Sequence, residues 1–141
     1  MLRRAVLLAG FAVAFATAAS AATVKFHATL SPAAEFPPTR SSGSGQANAS
    51  LDTVTHVLSY DVTYAGISPP ATAATVNGPA PAGRNAGVIM SLGMNPTSPI
   101  HGTTLLRPDQ EQQLTSGLWY GNVVNQASPG GVIRGQLLPA K

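Results

Sequence analysis

The run from residue 57 to 64, VLSYDVTY, sets Leu58, Tyr60, Val62 and Tyr64 on one side of an extended chain. A period of two over eight residues fits a half-buried β-strand and cannot form the apolar stripe of a helix. Two earlier runs repeat the pattern. Residues 23 to 30 alternate Val24, Phe26, Ala28 and Leu30 with Lys25, His27 and Thr29, and GQANASLD alternates Ala47, Ala49 and Leu51 with Gln46, Asn48 and Ser50. Later stretches are shorter: TAATVN is weak, GVIMSL is an apolar run of the kind found in buried strands, and LWYGNVV and GVIRGQLL close the chain. In SPAAEFPPTRSSGSG, Pro37 and Pro38 cannot donate to a ladder, so this segment belongs at an edge or in a loop. NQASPGG reads as a turn.

TTLLRPDQEQQLTSG breaks the alternation, and His101 just before it falls in an SPIHG loop. Pro108 suits a first helical position, Asp109 and Glu111 suit the positive end of a helix dipole, and Gly117 suits the residue after the last turn. A short helix is therefore expected over about 108–116, with Leu114 inward. Seven or eight short strands and one small helix predict an all-β fold, an antiparallel β-sandwich.

Residues 1–21 read as an export signal: Arg3 and Arg4, an apolar run from Ala5 to Ala16, and the cleavage pattern Ala19-Ser20-Ala21. A dozen apolar residues fall short of the roughly 20 that span a bilayer, so cleavage before Ala22 is expected, with no transmembrane segment afterwards. The remaining 120 residues suit a single domain, located in the periplasm or secreted. That domain has 6 Lys and Arg against 5 Asp and Glu, with no basic patch, which argues against nucleic acid as a partner. Cysteine is absent, so neither a disulfide framework nor a thiolate site is available. Apolar burial and backbone pairing must hold the fold.

NGPAPAGRN, residues 77–85, has the glycine spacing of a phosphate loop. The likeness fails chemically. Such loops present consecutive backbone N–H groups at a helix start, whereas Pro79 and Pro81 have none, Arg84 and Asn85 stand in for Lys and Ser/Thr, and a strand-like run follows. The loop reads as a stiff turn connection.

ATLSPAAEFPP, AATVNGPAPAGRNAGVIMSL, QLTSGLWYGNVV and PGGVIRGQLL, in this order and spacing, resemble the CHRD domain, the module named after chordin, over roughly residues 23–138. The most specific pieces are Glu35-Phe36-Pro37-Pro38 and the run from Gly131 to Leu137. The resemblance implies an immunoglobulin-like β-sandwich similar to copper/zinc superoxide dismutase, and no established enzymatic activity. The chain departs from the family's pattern at its polar positions. Thr75, Val76 and Asn77 stand where the family has His-Ile-His, Val124 stands at a further His, and Val132 replaces Glu. Imidazole and carboxylate are the ligands of Zn²⁺ and Cu²⁺; Thr and Asn are poor substitutes and Val cannot ligate. The resemblance therefore implies an emptied ligand cluster, and no cofactor is expected.

The remaining candidates are few. His27 is expected on an outer face, His56 in a hairpin turn and His101 in a loop, with no spacing suited to a shared metal. Ser91, Ser116 and Ser128 lack a nucleophile motif. Trp119 and Tyr120 should point to opposite faces; a ligand platform of Trp119 with Tyr60 or Tyr64 is the alternative. Glu35 reads as a solvated carboxylate; the alternative is a pair with Arg134 or Arg84, where a carboxylate–guanidinium contact would pin its loop to the last strand. The sequence thus predicts a non-enzymatic binding or structural module that acts on an extracytoplasmic protein or ligand through loops 77–85 and 122–131. Asn77, Arg84, Asn85, Asn122 and Asn125 are its polar groups. A Cu/Zn protein of superoxide-dismutase-like fold is the rival reading.

Overall fold

The computed structural model describes residues 22–141, with positions 10, 12 and 13; apart from those three, the expected signal segment lies outside the described residues. Among the described residues nine strands follow one another: β1 (Thr23–Leu30), β2 (Ser44–Asp52), β3 (Val57–Ala65), β4 (Ala71–Asn77), β5 (Val88–Met94), β6 (Ile100–Leu105), β7 (Tyr120–Asn125), β8 (Ile133–Gln136) and β9 (Leu138–Pro139). A helix α1 (Pro108–Thr115) lies between β6 and β7. The strands form two antiparallel sheets, one in the order β6-β3-β2-β1-β9 and the other β5-β4-β7-β8. Among the described residues no helix is long and apolar enough to cross a membrane.

The alternating runs do what their period requires. Phe26, Ala28 and Leu30 of β1, Ala47, Ala49 and Leu51 of β2, and Leu58 and Val62 of β3 are buried. They meet Ala74 and Val76 of β4, Val123 of β7 and Ile133 of β8 in one core between the sheets. The helix closes one end. Pro108 begins it, the Arg107 backbone N–H donates to Gln110 Oε1 (2.9 Å), and Gly117 leaves it at φ 74°. Leu114 is fully buried, and Gln113 Oε1 accepts from the Trp119 indole N–H (3.0 Å).

The two sheets are joined at a corner. Past the end of β1, Ser31 exchanges two backbone bonds with Arg134 of β8 (2.9 and 3.1 Å). The chain then turns through Pro32–Ala34 and lays Glu35 beside β8. Two backbones can approach this closely because Gly135 has no side chain: a Cβ there would strike the Thr29 carbonyl.

Four expectations are corrected. GVIMSL does not form a buried strand: β5 is the outer strand of its sheet, paired only with β4 through two irregularities, and Val88 and Met94 are exposed. His101 is not in a loop; residues 100–105 form β6, an edge strand on which His101 and Thr103 face water. Trp119 and Tyr120 do not divide between inside and outside. Both are buried, because loop 78–87 covers the face on which Tyr120 lies. The platform of Trp119 with Tyr60 or Tyr64 is therefore not formed: Trp119 is fully buried and donates to Gln113.

Gly135→Ala should cost about 2 kcal/mol, as overpacking against backbone does. Gly87→Ala, where a Cβ meets nothing within 4 Å, should stay within about 0.5 kcal/mol. Urea unfolding of the two variants measures both.

Candidate functional site

Register places the candidate residues. Thr75 of β4 stands opposite Asn122 of β7, which stands opposite Arg134 of β8. In the next row Asn77 stands opposite Tyr120, and Tyr120 opposite Gln136. Cross-strand partners share a face, so these six side chains form two rows on the outer face of the four-stranded sheet. Loop 78–87 and the segment after β1 fold over them.

Each polar group in the rows has an inward task. Thr75 Oγ1 donates to Asn77 Oδ1 (2.6 Å), and Asn77 Nδ2 donates to the Ala86 carbonyl (3.1 Å). The Tyr120 hydroxyl accepts from the Ala86 N–H (3.0 Å) and donates to the Ala86 carbonyl (3.1 Å). Gln136 Nε2 donates to the carbonyls of Ala80 and Gly117 (2.7 Å each). Loop 78–87 is thereby tied down along its length. Asn125 holds the neighbouring turns: its Nδ2 donates to the Pro69 carbonyl (2.9 Å) and its Oδ1 accepts from the Ser128 N–H (2.8 Å).

Arg134 is the centre of the arrangement. It is 1% exposed, and its guanidinium lies 3.5 Å from the centroid of the Tyr120 ring. It donates to Asn85 Oδ1 (3.1 Å) and to the Pro81 carbonyl (3.3 Å), and Asn85 Nδ2 donates onward to the Phe36 carbonyl (2.8 Å). One buried cation thus connects β8, loop 78–87 and the segment after β1.

Glu35 comes close to Arg134 without pairing with it. The ion pairs among the described residues are His56–Glu111 (2.6 Å) and Arg107–Asp109 (3.1 Å). The alternative Glu35 bridge to Arg134 or Arg84 is therefore absent among the described residues, the expected solvated carboxylate is corrected because the segment after β1 buries it against β8, and the partners of Arg134 are neutral oxygens and a ring. Glu35 is 6% exposed, and its Oε1 is buried without a donor. Asn122 Oδ1 is in the same condition, while its Nδ2 donates to the Gly130 carbonyl (3.2 Å). Both oxygens converge on Gly131, at φ 138°, where a Cβ would collide with each. Two facing acceptors are compatible when one of them holds a hydrogen. Burial pushes the Glu35 carboxyl up from 4.5 to about 7, with the Arg134 charge opposing part of the rise. Glu35 is the group able to carry that hydrogen.

The positions at which the chain departs from the family's pattern are divided. Thr75 and Asn77 touch each other, and Val124 lies on the same face, opposite Ala73. Val132 instead belongs to the apolar core, and its backbone accepts from the Thr39 hydroxyl (2.7 Å). Among the described residues no three His, Cys, Asp or Glu come together as a metal would require. Arg84 is the remaining candidate; it is exposed on the loop.

The structure also assembles a row that the sequence hid. His27, Asn48, Asp61 and His101 are successive partners across β1, β2, β3 and β6. His27 Nδ1 lies 2.8 Å from Asn48 Oδ1, and Asn48 Nδ2 donates to Asp61 Oδ1 (3.4 Å). The alternation put three of these residues on polar faces; only the strand register brings them level.

A family model described as the CHRD domain matches residues 26–137. The chain belongs to the CHRD domain family. No curated protein and no solved structure gives a significant match. The matched region of this CHRD domain runs from Phe26 to Leu137, so it takes in both rows, the Glu35 segment and the loop above them.

Since the folded state binds the Glu35 proton more tightly than the unfolded chain, the stability this proton contributes is complete below about pH 4.5. It is lost as pH rises through about 7. The midpoint of thermal unfolding should fall across that window and level off above it. Glu35→Gln, which stays neutral and supplies an N–H toward Asn122, should remove that slope.

Proposed function

We propose that this CHRD domain is an exported, non-enzymatic recognition module that works in the periplasm or outside the cell. The observation that carries this reading is the use made of its polar face. Thr75, Asn77, Tyr120, Asn85 and Arg134 spend their hydrogen bonds holding loop 78–87 in place, so the site presents a shaped loop rather than a reactive group. Loops held on a rigid sheet are a common vehicle for binding. The leader-like residues 1–21 support export.

Burial supports the loop tips as the binding surface. Asn77, Asn122 and Asn125 face inward and act as supports, whereas residues 81–85 and the turn at Gln126, Ala127, Pro129 and Gly130 face water. Arg84 is the charged group at the loop's exposed side. A photo-crosslinker at position 84, offered the extracytoplasmic fraction, should label a partner, and one at Val54, in the exposed β2–β3 turn, should not. Equal labelling from both positions, or none from position 84, would count against a loop-borne recognition surface. Mass analysis of the exported chain should find Ala22 at its start.

A further inference from the structure

We propose that β6 is an open sheet edge through which two copies of this chain pair antiparallel, giving a symmetric dimer. The proposal goes beyond the recognition reading above and does not depend on it. Edge strands offer unpaired backbone groups to any other strand, and folds blunt them by short length, proline, irregular pairing or a covering segment. Among the described residues the two sheets have four edges, and three of them are blunted. β9 is two residues ending in Pro139. The free side of β8 is taken by Ser31, which exchanges two backbone bonds with Arg134. β5 pairs with β4 through two irregularities. β6 has none of these devices: its register with β3 is unbroken from Ile100 to Leu105, it holds no proline, and no described strand pairs with its other side.

Register identifies the backbone groups that β6 leaves free. The Leu106 N–H donates to the His56 carbonyl (2.9 Å), one step beyond the Val57–Leu105 pair. Bonded and non-bonded pairs alternate along an antiparallel ladder. Thr104, Gly102 and Ile100 therefore bond to β3, while the N–H and C=O groups of His101, Thr103 and Leu105 point away from it. The side chains of these three residues are exposed, that of Leu105 by 69%.

Symmetry and charge define the occupant. A two-fold axis at Thr103 sets Thr103 against Thr103 of the second copy, and His101 against Leu105 of the second copy. Every outward N–H of both strands then finds a carbonyl, and exposed side chains meet on one face. A shift of the axis to Gly102 would set Leu105 against Pro99, which has no N–H. From Asn85 to Leu106 the chain has no Asp, Glu, Lys or Arg, so a second copy meets no like charge here. β5, joined to β6 by residues 95–99, exposes Val88 and Met94 within that same uncharged stretch. Such a margin has nothing to select an acidic or basic segment, whereas a second copy matches it in length, face and polarity. Each copy uses its one unblunted described edge, so assembly closes at two.

Sedimentation of the purified protein tests this. One edge-to-edge ladder is smaller than a standard interface, so a monomer–dimer equilibrium is expected at about 10 µM to 1 mM. Across that range amide exchange should slow at His101, Thr103 and Leu105 and stay unchanged at Ile100, Gly102 and Thr104. Thr103→Lys and Thr103→Glu, both at an exposed position, should each weaken the dimer about fivefold by placing like charges face to face, and an equimolar mixture of the two should restore it. Thr103→Pro should abolish the dimer and keep the bonds to β3, because the N–H it removes faces outward. The proposal is overturned by a monomer throughout that range, by assembly that runs past two copies, or by protection that falls equally on both sets of amides. A dimer that survives Thr103→Pro, or a Lys/Glu mixture no tighter than either variant alone, would overturn it as well.

Discussion

Arg134 carries a positive charge into a place where 1% of the residue meets water, and the outer side of the four-stranded sheet is organised around it. Taking a guanidinium out of water costs several kcal/mol unless its donors are met and its charge is answered. Here the Tyr120 ring meets one face of the group, while Asn85 and the Pro81 carbonyl accept from its edge. Asn85 and Pro81 belong to a loop with little secondary structure of its own. The need to satisfy the buried cation and the need to order the loop are thus met by the same contacts. Truncating Arg134 would free residues 81–85 of loop 78–87 from β8 and weaken, through Asn85 and Phe36, their tie to the segment after β1.

Glu35 shows how the surroundings assign a charge state. A carboxylate fully paired with Arg134 would be depressed; held apart from it and buried, it is raised to about 7. Its Oε1 and Asn122 Oδ1 both lie unpartnered around Gly131, and a proton on Glu35 would lessen the opposition of two buried acceptors. Gly131 is needed twice over, for its φ of 138° and because any side chain would occupy the space those oxygens use. The Thr75–Asn77–Ala86 chain follows related logic. Neutral hydroxyl and amide groups bond directly to one another and to the loop backbone, and that contact needs no cation.

Much of the scaffold is legible in the sequence because burial on one side imposes a period of two. The inward faces of β1, β2 and β3 can be read from Phe26, Ala47 and Leu58 and their neighbours, and the helix from Pro108, Leu114 and Gly117. Edge strands are not legible, since half their surroundings is water: β6, with Gly102, Thr103 and Thr104, shows no apolar face, and the apolar run of β5 reads as an interior strand although it lies at an edge. At the site, the sequence singles out Glu35, Asn77, Arg84, Asn85, Asn122, Asn125 and Arg134 but not their direction. Polar residues are expected to meet solvent, and five of those seven are buried, with Arg84 and Asn85 exposed. That reversal depends on a loop folding over a sheet, and the row of His27, Asn48, Asp61 and His101 depends on register. Both are relations between distant segments that no local pattern encodes.

The measurement that goes to the heart of this account is the NMR signature of the Arg134 guanidinium at neutral pH. A group stacked on Tyr120 and bonded to Asn85 and Pro81 should show separate N–H resonances, shifted upfield by the ring and slow to exchange with water, little changed by added salt. A single averaged resonance in fast exchange, like that of a free arginine side chain, would mean that Arg134 is not a buried cation and does not hold residues 81–85 of the loop.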